Sequence, residues 1–359
     1  MRTLDFAYRV LRGNAILGWM QAPVDSGRTL RMDSTAEIKT SLSGSFGATV
    51  TDADGKEVEP DWLSDEIQPV MILDGVEYSL GVFAAANITP FETNGLQSLQ
   101  IEAYDRCWRV RDTHTETPIY FAAGTNYIAA VESVLISCGI SLILATPTTA
   151  TLAEDRQSWE IGTSCLSIVN ELLGEINYHE LWFTADGSAV LEPVSVPTAA
   201  NIEHRLSDEE EPGADPIDRM LPSISRQTDV YAAPNAWLVI CQNPDKSATM
   251  TATAENTNPQ SPLSISRRGR RIVQVVTVDN IADQDALQAY ADRLRNDSMI
   301  GGETIRVSTA LLPGWGVRDV VALRYGDLSA LCIETGYSMD LRLGGSMTHE
   351  LERVVYHFG

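Results

Sequence analysis

The sequence predicts a β-rich α+β protein: two barrel-like segments of antiparallel β-structure with an α+β insertion between them. Three observations carry this expectation. Short apolar runs alternate with turn signals in the first third, the texture becomes helical after Pro118, and a hairpin-like phrase of the first third returns in the last. A chain of 359 residues exceeds one typical core, so two or three domains are expected, divided here as 1–115, 116–206 and 207–359.

In the first segment Val70-Met71-Ile72-Leu73 and Tyr78-Ser79-Leu80 flank Asp74-Gly75, the composition and spacing of a tight hairpin. Glu37–Ser41, Gly47–Thr51 and Leu99–Tyr104 supply further strands. Together they make residues 1–115 an all-β, barrel-like unit.

The middle segment is α+β. Thr125 is placed to cap a helix that carries Tyr127, Val131 and Val134 on one face with Ile128 and Leu135, and Gly139 stops it. Thr163 or Ser164 opens a second helix with the stripe Leu166, Val169, Leu173. Tyr178–Phe183 and Ala189–Leu191 then read as strands around an Asp186-Gly187 turn.

The acidic run from Ser207 to Asp218, broken by Pro212, Gly213 and Pro216, marks a solvated loop or a boundary. Beyond it β-structure resumes, interrupted by a helix over Asp283–Asn296 with Leu287, Tyr290, Ala291 and Leu294 on one face. Asp283 and Asp285 in its first turn and Arg293 and Arg295 in its last suit the helix dipole. Ile305, Val307 and Thr309 alternate with Arg306 and Ser308, and Val320–Tyr325, Gly326-Asp327 and Leu328–Glu334 form a second strand-turn-strand unit. Its phrase from Val317 echoes the one from Ile67 in approximate length, apolar pattern and a central turn, which hints at two barrels related by duplication.

Composition narrows the function. The net charge of −23 opposes a polyanion as a stable surface-bound partner, because phosphate binding relies on clustered Lys and Arg. The cysteines, Cys107, Cys138, Cys165, Cys241 and Cys332, are odd in number and dispersed, which suits a reducing cytoplasm. Met1–Tyr8 lacks the basic head and apolar core of an export signal, and Ala129–Ala145, interrupted by Glu132 and Gly139, scans as helix, turn and strand, so no membrane segment is expected.

Chemistry is sparse. There is no GxSxG elbow, and His114, His179, His204, His349 and His357 lie in unrelated contexts, so no triad can be assembled. Neither HExxH nor paired CxxC occurs, and Asp52-Ala53-Asp54-Gly55 has its glycine too early for an EF-hand loop and reads as a hairpin turn. The expectation is a non-enzyme without cofactor or metal. One basic run, Arg267, Arg268, Arg270 and Arg271, stands directly before a strand over Ile272–Val278. It can touch phosphates or, as a hairpin end, pair with acidic neighbours or a partner subunit.

Several phrases carry a family resemblance. Asp155–Pro193, Ala233–Asp245, Ser261–Val273, Ala286–Ala291, Leu312–Trp315, Asp319–Leu323 and Met347–Leu351 resemble phage and prophage tail-hub proteins. Leu42–Phe46, Asp74–Phe83 and Ala103–Asp105 resemble the opening barrel of that family, so the likeness covers nearly the whole chain. The resemblance implies a baseplate-hub fold assembled as a homotrimer at the tail tip, built in the host cytoplasm. Three copies with two barrels each would form a pseudo-six-fold ring between a hexameric tail tube and a three-fold spike or fibre, with a channel for the genome. It implies contacts with tail-tube, distal-tail and tape-measure proteins, DNA passing without stable binding, and membrane contact only through the assembled particle. An acidic lumen would keep phosphates from adhering. A rival reading is a carbohydrate-binding or cell-wall-degrading tail protein, since the tryptophans could form a sugar platform. Their scatter over Trp19, Trp62, Trp108, Trp159, Trp182, Trp237 and Trp315 suits core anchors better.

Overall fold

The computed structural model describes residues 3–21, 27–93, 95–157, 159–209, 218–227, 234–241, 249–261, 263–278, 281, 284–300 and 303–354. In the first third β1 (Leu4–Arg12) and β2 (Ala15–Met20) are followed by β3 (Arg28–Asp33), β4 (Thr40–Gly47), β5 (Val50–Thr51) and β6 (Glu57–Val58). Then come β7 (Glu66–Leu73), β8 (Val76–Ser79), β9 (Phe83–Thr93) and β10 (Leu96–Asp105). The middle holds α1 (Cys107–Asp112), α2 (Tyr127–Ser137), β11 (Ile143–Ala145), α3 (Cys165–Glu175), β12 (Trp182–Phe183) and β13 (Ala189–Leu191). After β14 (His204–Ser207) and β15 (Asp218–Gln227) a small unit follows: β16 (Ala236–Cys241), β17 (Met250–Glu255), α4 (Ile265–Arg268), β18 (Val273–Val278) and α5 (Gln284–Ile300). The chain closes with β19 (Thr304–Ala310), β20 (Val320–Tyr325), β21 (Leu328–Asp340) and β22 (Ser346–Val354).

Strand pairing closes two rings. Around the first the order is β1, β2, β4 with β5, β10, β9, β7 and back to β1. Here β4 and β5 act as one interrupted strand, and the Gly47 amide donates to the Gln21 carbonyl at 2.7 Å to keep β2 in step. Around the second the order is β14, β15, β19, β22, β21, β20 and back to β14. Closure leaves few exposed strand edges within each ring, although β7–β9 and β14–β15 each pair at only two positions.

The two rings correspond strand for strand. Glu66 faces Ala84 and Ile67 faces Phe83 in the first, as Val320 faces Ile333 and Val321 faces Cys332 in the second. Just beyond, each long strand carries a one-residue bulge, Ala86 in β9 and Thr335 in β21. Aligning the bulges sets β7, β9, β10 and β4 against β20, β21, β22 and β19, so Ile101 answers to His349, Ala85 to Glu334 and Gly44 to Val307. Ring order, register and bulge agree, which two unrelated hairpins would not produce. One strand departs: β1 runs antiparallel to both neighbours, whereas β14 runs parallel to both.

A bridge joins the rings. The last part of β15, Ile224–Gln227, pairs with β19, and in the first ring the same place beside β4 is taken by β3. On its far side β3 pairs with Gly336–Asp340 of β21, so both barrels belong to one sheet of 16 strands. One apolar cluster runs through both, including Tyr8, Leu30, Phe46 and Ile101 with Ile305, Met339 and Leu351.

Two further cores flank the barrels. Leu166, Val169 and Leu173 of α3 meet Val131, Val134 and Leu135 of α2, and Cys107 and Val110 of α1 join them. The insertion is tied to the first barrel by Arg106, which donates to Glu66 Oε2 at 2.6 Å and to the Gly187 carbonyl at 2.8 Å. In the small unit Leu287 and Ala291 of α5 cover one face of the sheet β17–β16–β18 against Val239 and Cys241.

Local readings shift in places. The helix expected to be capped by Thr125 is capped by Asn126, whose Oδ1 accepts from the amides of Ile128 at 2.9 Å and Ala129 at 3.2 Å. Ser164 stands before α3, but its hydroxyl donates to the Arg111 carbonyl at 2.7 Å and caps nothing. The strand expected from Glu37 begins at Thr40, because the Lys39 ammonium turns back to the carbonyls of Ser34 and Ala36. Tyr178–Phe183 contracts to the two residues of β12, with Tyr178 held by an isolated bridge to Pro193. Residues 210–217 of the acidic run, Asp283 and His357 lie outside the described residues.

Candidate assembly site

The arginine run lies at one end of the small sheet. Arg267 and Arg268 end α4, where Ser264 Oγ accepts from the Arg267 amide at 3.3 Å and Gly269 closes the helix at φ +63°. Arg271 pairs with Glu255 of β17 at 2.6 Å, while Arg267 and Arg270 are exposed. The run is therefore a helix end and a loop, not a hairpin end. An exposed pair such as Arg271–Glu255 contributes at most about 1 kcal/mol.

A denser polar cluster, unforeseen in the sequence, fills the second barrel. His349 Nε2 lies 3.0 Å from Thr309 Oγ1 and Nδ1 lies 3.1 Å from Glu334 Oε2, all three residues being fully buried. Thr309 Oγ1 donates to the Ala310 carbonyl at 2.7 Å, so it accepts from His349 and fixes the ring proton on Nε2. Nδ1 is then the acceptor for the Glu334 carboxylic acid. Burial, reinforced by Asp319, lifts the Glu334 carboxyl well above its usual range, and burial followed by His204 lowers His349 to about 3. Trp315 stacks on His204 at 3.8 Å and tilts against His349 at 4.3 Å, while His204 Nε2 lies 3.0 Å from Asp319 Oδ2. The sequence did hold a signal: Met347, His349 and Leu351 alternate, which puts His349 on the inward face.

This cluster has the residue types of a catalytic site but not the access. Its only hydroxyl nucleophile, Thr309, is sealed. Clefts among the described residues border the cluster or open beyond it, with Trp315 on the wall of one and His349 on the wall of another. One of about 220 Å³ lies where both barrels meet the insertion, lined by Leu80, Phe183, Trp315 and Tyr337 with Asp105. There Asp105, its carboxyl pKa raised by burial, accepts from the Thr40 amide at 2.7 Å and hydroxyl at 2.8 Å. A groove of about 560 Å³ crosses β3, β21, β22 and β19 and carries both signs of charge: Arg31, Asp33, Arg306, Glu350 and Glu352. A third, of about 220 Å³, gathers Lys39, His179, Arg293 and Arg318; burial first, then these cations, lowers His179 to about 4.

Among the described residues no three His, Cys, Asp or Glu side chains could hold a metal ion, and no helix is long and apolar enough to cross a membrane. The cysteines are all buried and free. Trp159, Trp237 and Trp315 are buried core anchors, while Trp19, Trp62, Trp108 and Trp182 are half-buried. The Asp52–Gly55 segment is the expected turn, with Asp52 Oδ1 accepting from the amides of Asp54 and Lys56.

No protein-family model matches the chain, and no curated protein matches it in sequence. Solved structures do. A tail protein from Neisseria meningitidis superposes with a TM-score of 0.66 at 14% identity, over 97% of this chain and 96% of that one. The 43 kDa tail protein of prophage MuSo2 from Shewanella oneidensis gives 0.66 at 10% identity, over 98% of each chain. An Escherichia coli type VI secretion component, described as similar to T4 bacteriophage tail proteins, gives 0.51 at 11% identity over 99% of this chain and 77% of that one. The fold is that of the phage tail proteins.

Within this tail-protein fold the ring strands β9 and β15 each leave part of one edge without a backbone partner among the described residues. On the side away from β10, β9 pairs with β7 only through Phe83 and Ala84, and Ala85–Phe91 form no further backbone pairing among the described residues. On the side away from β19, β15 pairs with β14 only through Asp218 and Arg219. Open edges of this kind are templates for another strand.

Proposed function

We propose that the chain is a structural, non-catalytic tail-tip hub subunit, divided as 1–115, 116–206 and 207–359, whose three copies form a ring of six barrels. One face of the ring offers near six-fold symmetry to a hexameric tail tube, and the other keeps three-fold symmetry for a spike or fibre. The genome passes through the channel, repelled more than held by a chain of net charge −23. Tail-tube, distal-tail and tape-measure proteins are its neighbours, and assembly takes place in the host cytoplasm.

The observation that carries this reading is the strand-for-strand match of the two rings, down to the paired bulges at Ala86 and Thr335. Two equivalent barrels in one chain let three copies imitate six. Native mass spectrometry with end-on electron-microscope averages tests it. A trimer with six lobes is expected, and a dimer or a ring without six-fold modulation would overturn it.

A further inference from the structure

We infer that successive copies join by antiparallel pairing between β9 of one copy and the end of β15 of the next, with Thr89 opposite Gln227, Pro90 opposite Arg226 and Phe91 opposite Ser225. The inference rests on the ring reading above and adds the partner segment and its register.

The argument starts from the seam already built within the chain. There β3 lies between β4 and β21, with Ser338 opposite Arg31, Met339 opposite Leu30 and Asp340 opposite Thr29. Each side of that seam has a counterpart in the other barrel. The bulge alignment sets Thr89, Pro90 and Phe91 of β9 where Ser338, Met339 and Asp340 stand in β21. Pairing with β4 and β19 sets Ser225, Arg226 and Gln227 of β15 where Thr29, Leu30 and Arg31 stand in β3. The in-chain seam therefore has a twin whose two halves, on β15 and β9, are separated in the sheet by β19, β22, β21, β3, β4 and β10. They can meet only between copies.

Exposure agrees with this. In the filled seam Leu30 and Met339 are buried and Thr29, Ser338 and Asp340 half-buried, whereas the matching Arg226, Pro90, Ser225, Thr89 and Phe91 are exposed; Arg31 and its counterpart Gln227 are exposed in both. Both halves are open edges, and Pro90, which has no amide proton, is a residue suited to an edge that must not pair indiscriminately before assembly. A heterologous contact of this kind closes into a ring when the rotation per step divides the circle, and three steps of two barrels satisfy that.

The test is a cysteine pair. Residues directly opposite on antiparallel strands have Cβ atoms about 4.5–5.5 Å apart, near enough for a disulfide after slight adjustment. Thr89→Cys with Gln227→Cys, oxidised at high micromolar concentration, is expected to give a covalent ladder ending at trimer, at a yield roughly tenfold or more above either single variant. The native cysteines are buried and do not compete. A native trimer that fails to cross-link overturns the seam and leaves the ring reading intact. Cross-linked open chains without closed trimers support the seam and overturn the ring. Protein that stays monomeric and uncross-linked overturns both.

Discussion

His349 and Glu334 meet at 3.1 Å inside the second barrel, at register positions that the first barrel fills with Ile101 and Ala85. The duplicated frame thus carries an apolar interior in one copy and an acid–imidazole pair in the other. A buried pair kept neutral avoids the charge-desolvation penalty, but it ties stability to pH.

The two groups act with opposite sign. His349 is lowered to about 3 in the fold from 6.5, so its contribution is complete above about 6.5 and is lost as pH falls toward 3. Glu334 is raised in the fold, so its contribution is complete below its ordinary value and is lost as pH rises through the elevated one. Thermal midpoints measured across this range are expected to fall on the acid side in the wild type, and His349→Ile with Glu334→Leu flattens that limb. An unchanged acid limb in the double variant would refute the assignment.

Single and double replacements should differ in direction. His349→Ile alone leaves the Glu334 acid without its acceptor, and Oε1 of Glu334 already lacks a partner among the described residues. Stranding a buried polar group costs about 1–3 kcal/mol. Replacing both by apolar side chains is expected to be neutral or stabilising by about 1–4 kcal/mol. Denaturant unfolding of the three variants separates these outcomes, and a double variant worse than either single one would contradict the argument.

The barrels were legible in the sequence wherever apolar alternation met a turn dipeptide. Asp74-Gly75 closes β7 onto β8 with φ of +52° and +80°, and Gly326-Asp327 closes β20 onto β21, because these residues accept backbone angles that others resist. The correspondence of the barrels was visible only as an echo, since it resides in register and in bulges at Ala86 and Thr335, neither of which has a compositional mark. The β3 bridge was missed altogether. Arg28, Arg31 and Asp33 make β3 look like a polar connector, yet Arg28 is buried, donating to the Tyr8 hydroxyl at 2.8 Å. Of the candidate residues, the arginines were conspicuous by charge, while the open edges of β9 and β15 follow from pairing alone.

Glu66 and Arg106 test the tie between the first barrel and the insertion. Both side chains are nearly sealed, and the guanidinium also holds the Gly187 carbonyl across the boundary. Glu66→Ala leaves that cation buried and unpaired and is expected to cost about 3–5 kcal/mol. Glu77→Ala removes the exposed partner of Arg9 and should cost under about 1 kcal/mol. Equal losses in the two variants would show that burial does not set the difference.

The basic run separates assembly from DNA passage. Arg267, Arg268, Arg270 and Arg271 changed together to Ser removes the exposed Arg271–Glu255 pair, worth little on its own, together with the interaction that Arg268 makes. Folding stability should therefore move by no more than about 1 kcal/mol for each interaction lost. If the run contacts a neighbouring subunit, tail assembly falls while DNA ejection from the assembled fraction is unchanged. Normal assembly with impaired ejection would assign the run to DNA instead.

Gly44 shows how far the two barrels may be exchanged. It holds φ at +155°, and a Cβ there would lie 2.5 Å from Arg28 Cγ, 2.8 Å from Arg28 Cα and 2.9 Å from the Gly27 carbonyl oxygen. At the matching site the second barrel carries Val307, opposite Ile224. Gly44→Val should destabilise by about 3 kcal/mol or more, combining backbone strain with overpacking. Copying the whole second-barrel pair, Arg28→Ile with Gly44→Val, should not restore stability. Two of the three close contacts are backbone atoms of β3 and its approach, which no side-chain change withdraws. Hydrogen exchange at Leu30 and Met339 should speed up in both variants as β3 loosens from β21, and recovery in the double variant would show that the clash lies in the Arg28 side chain after all.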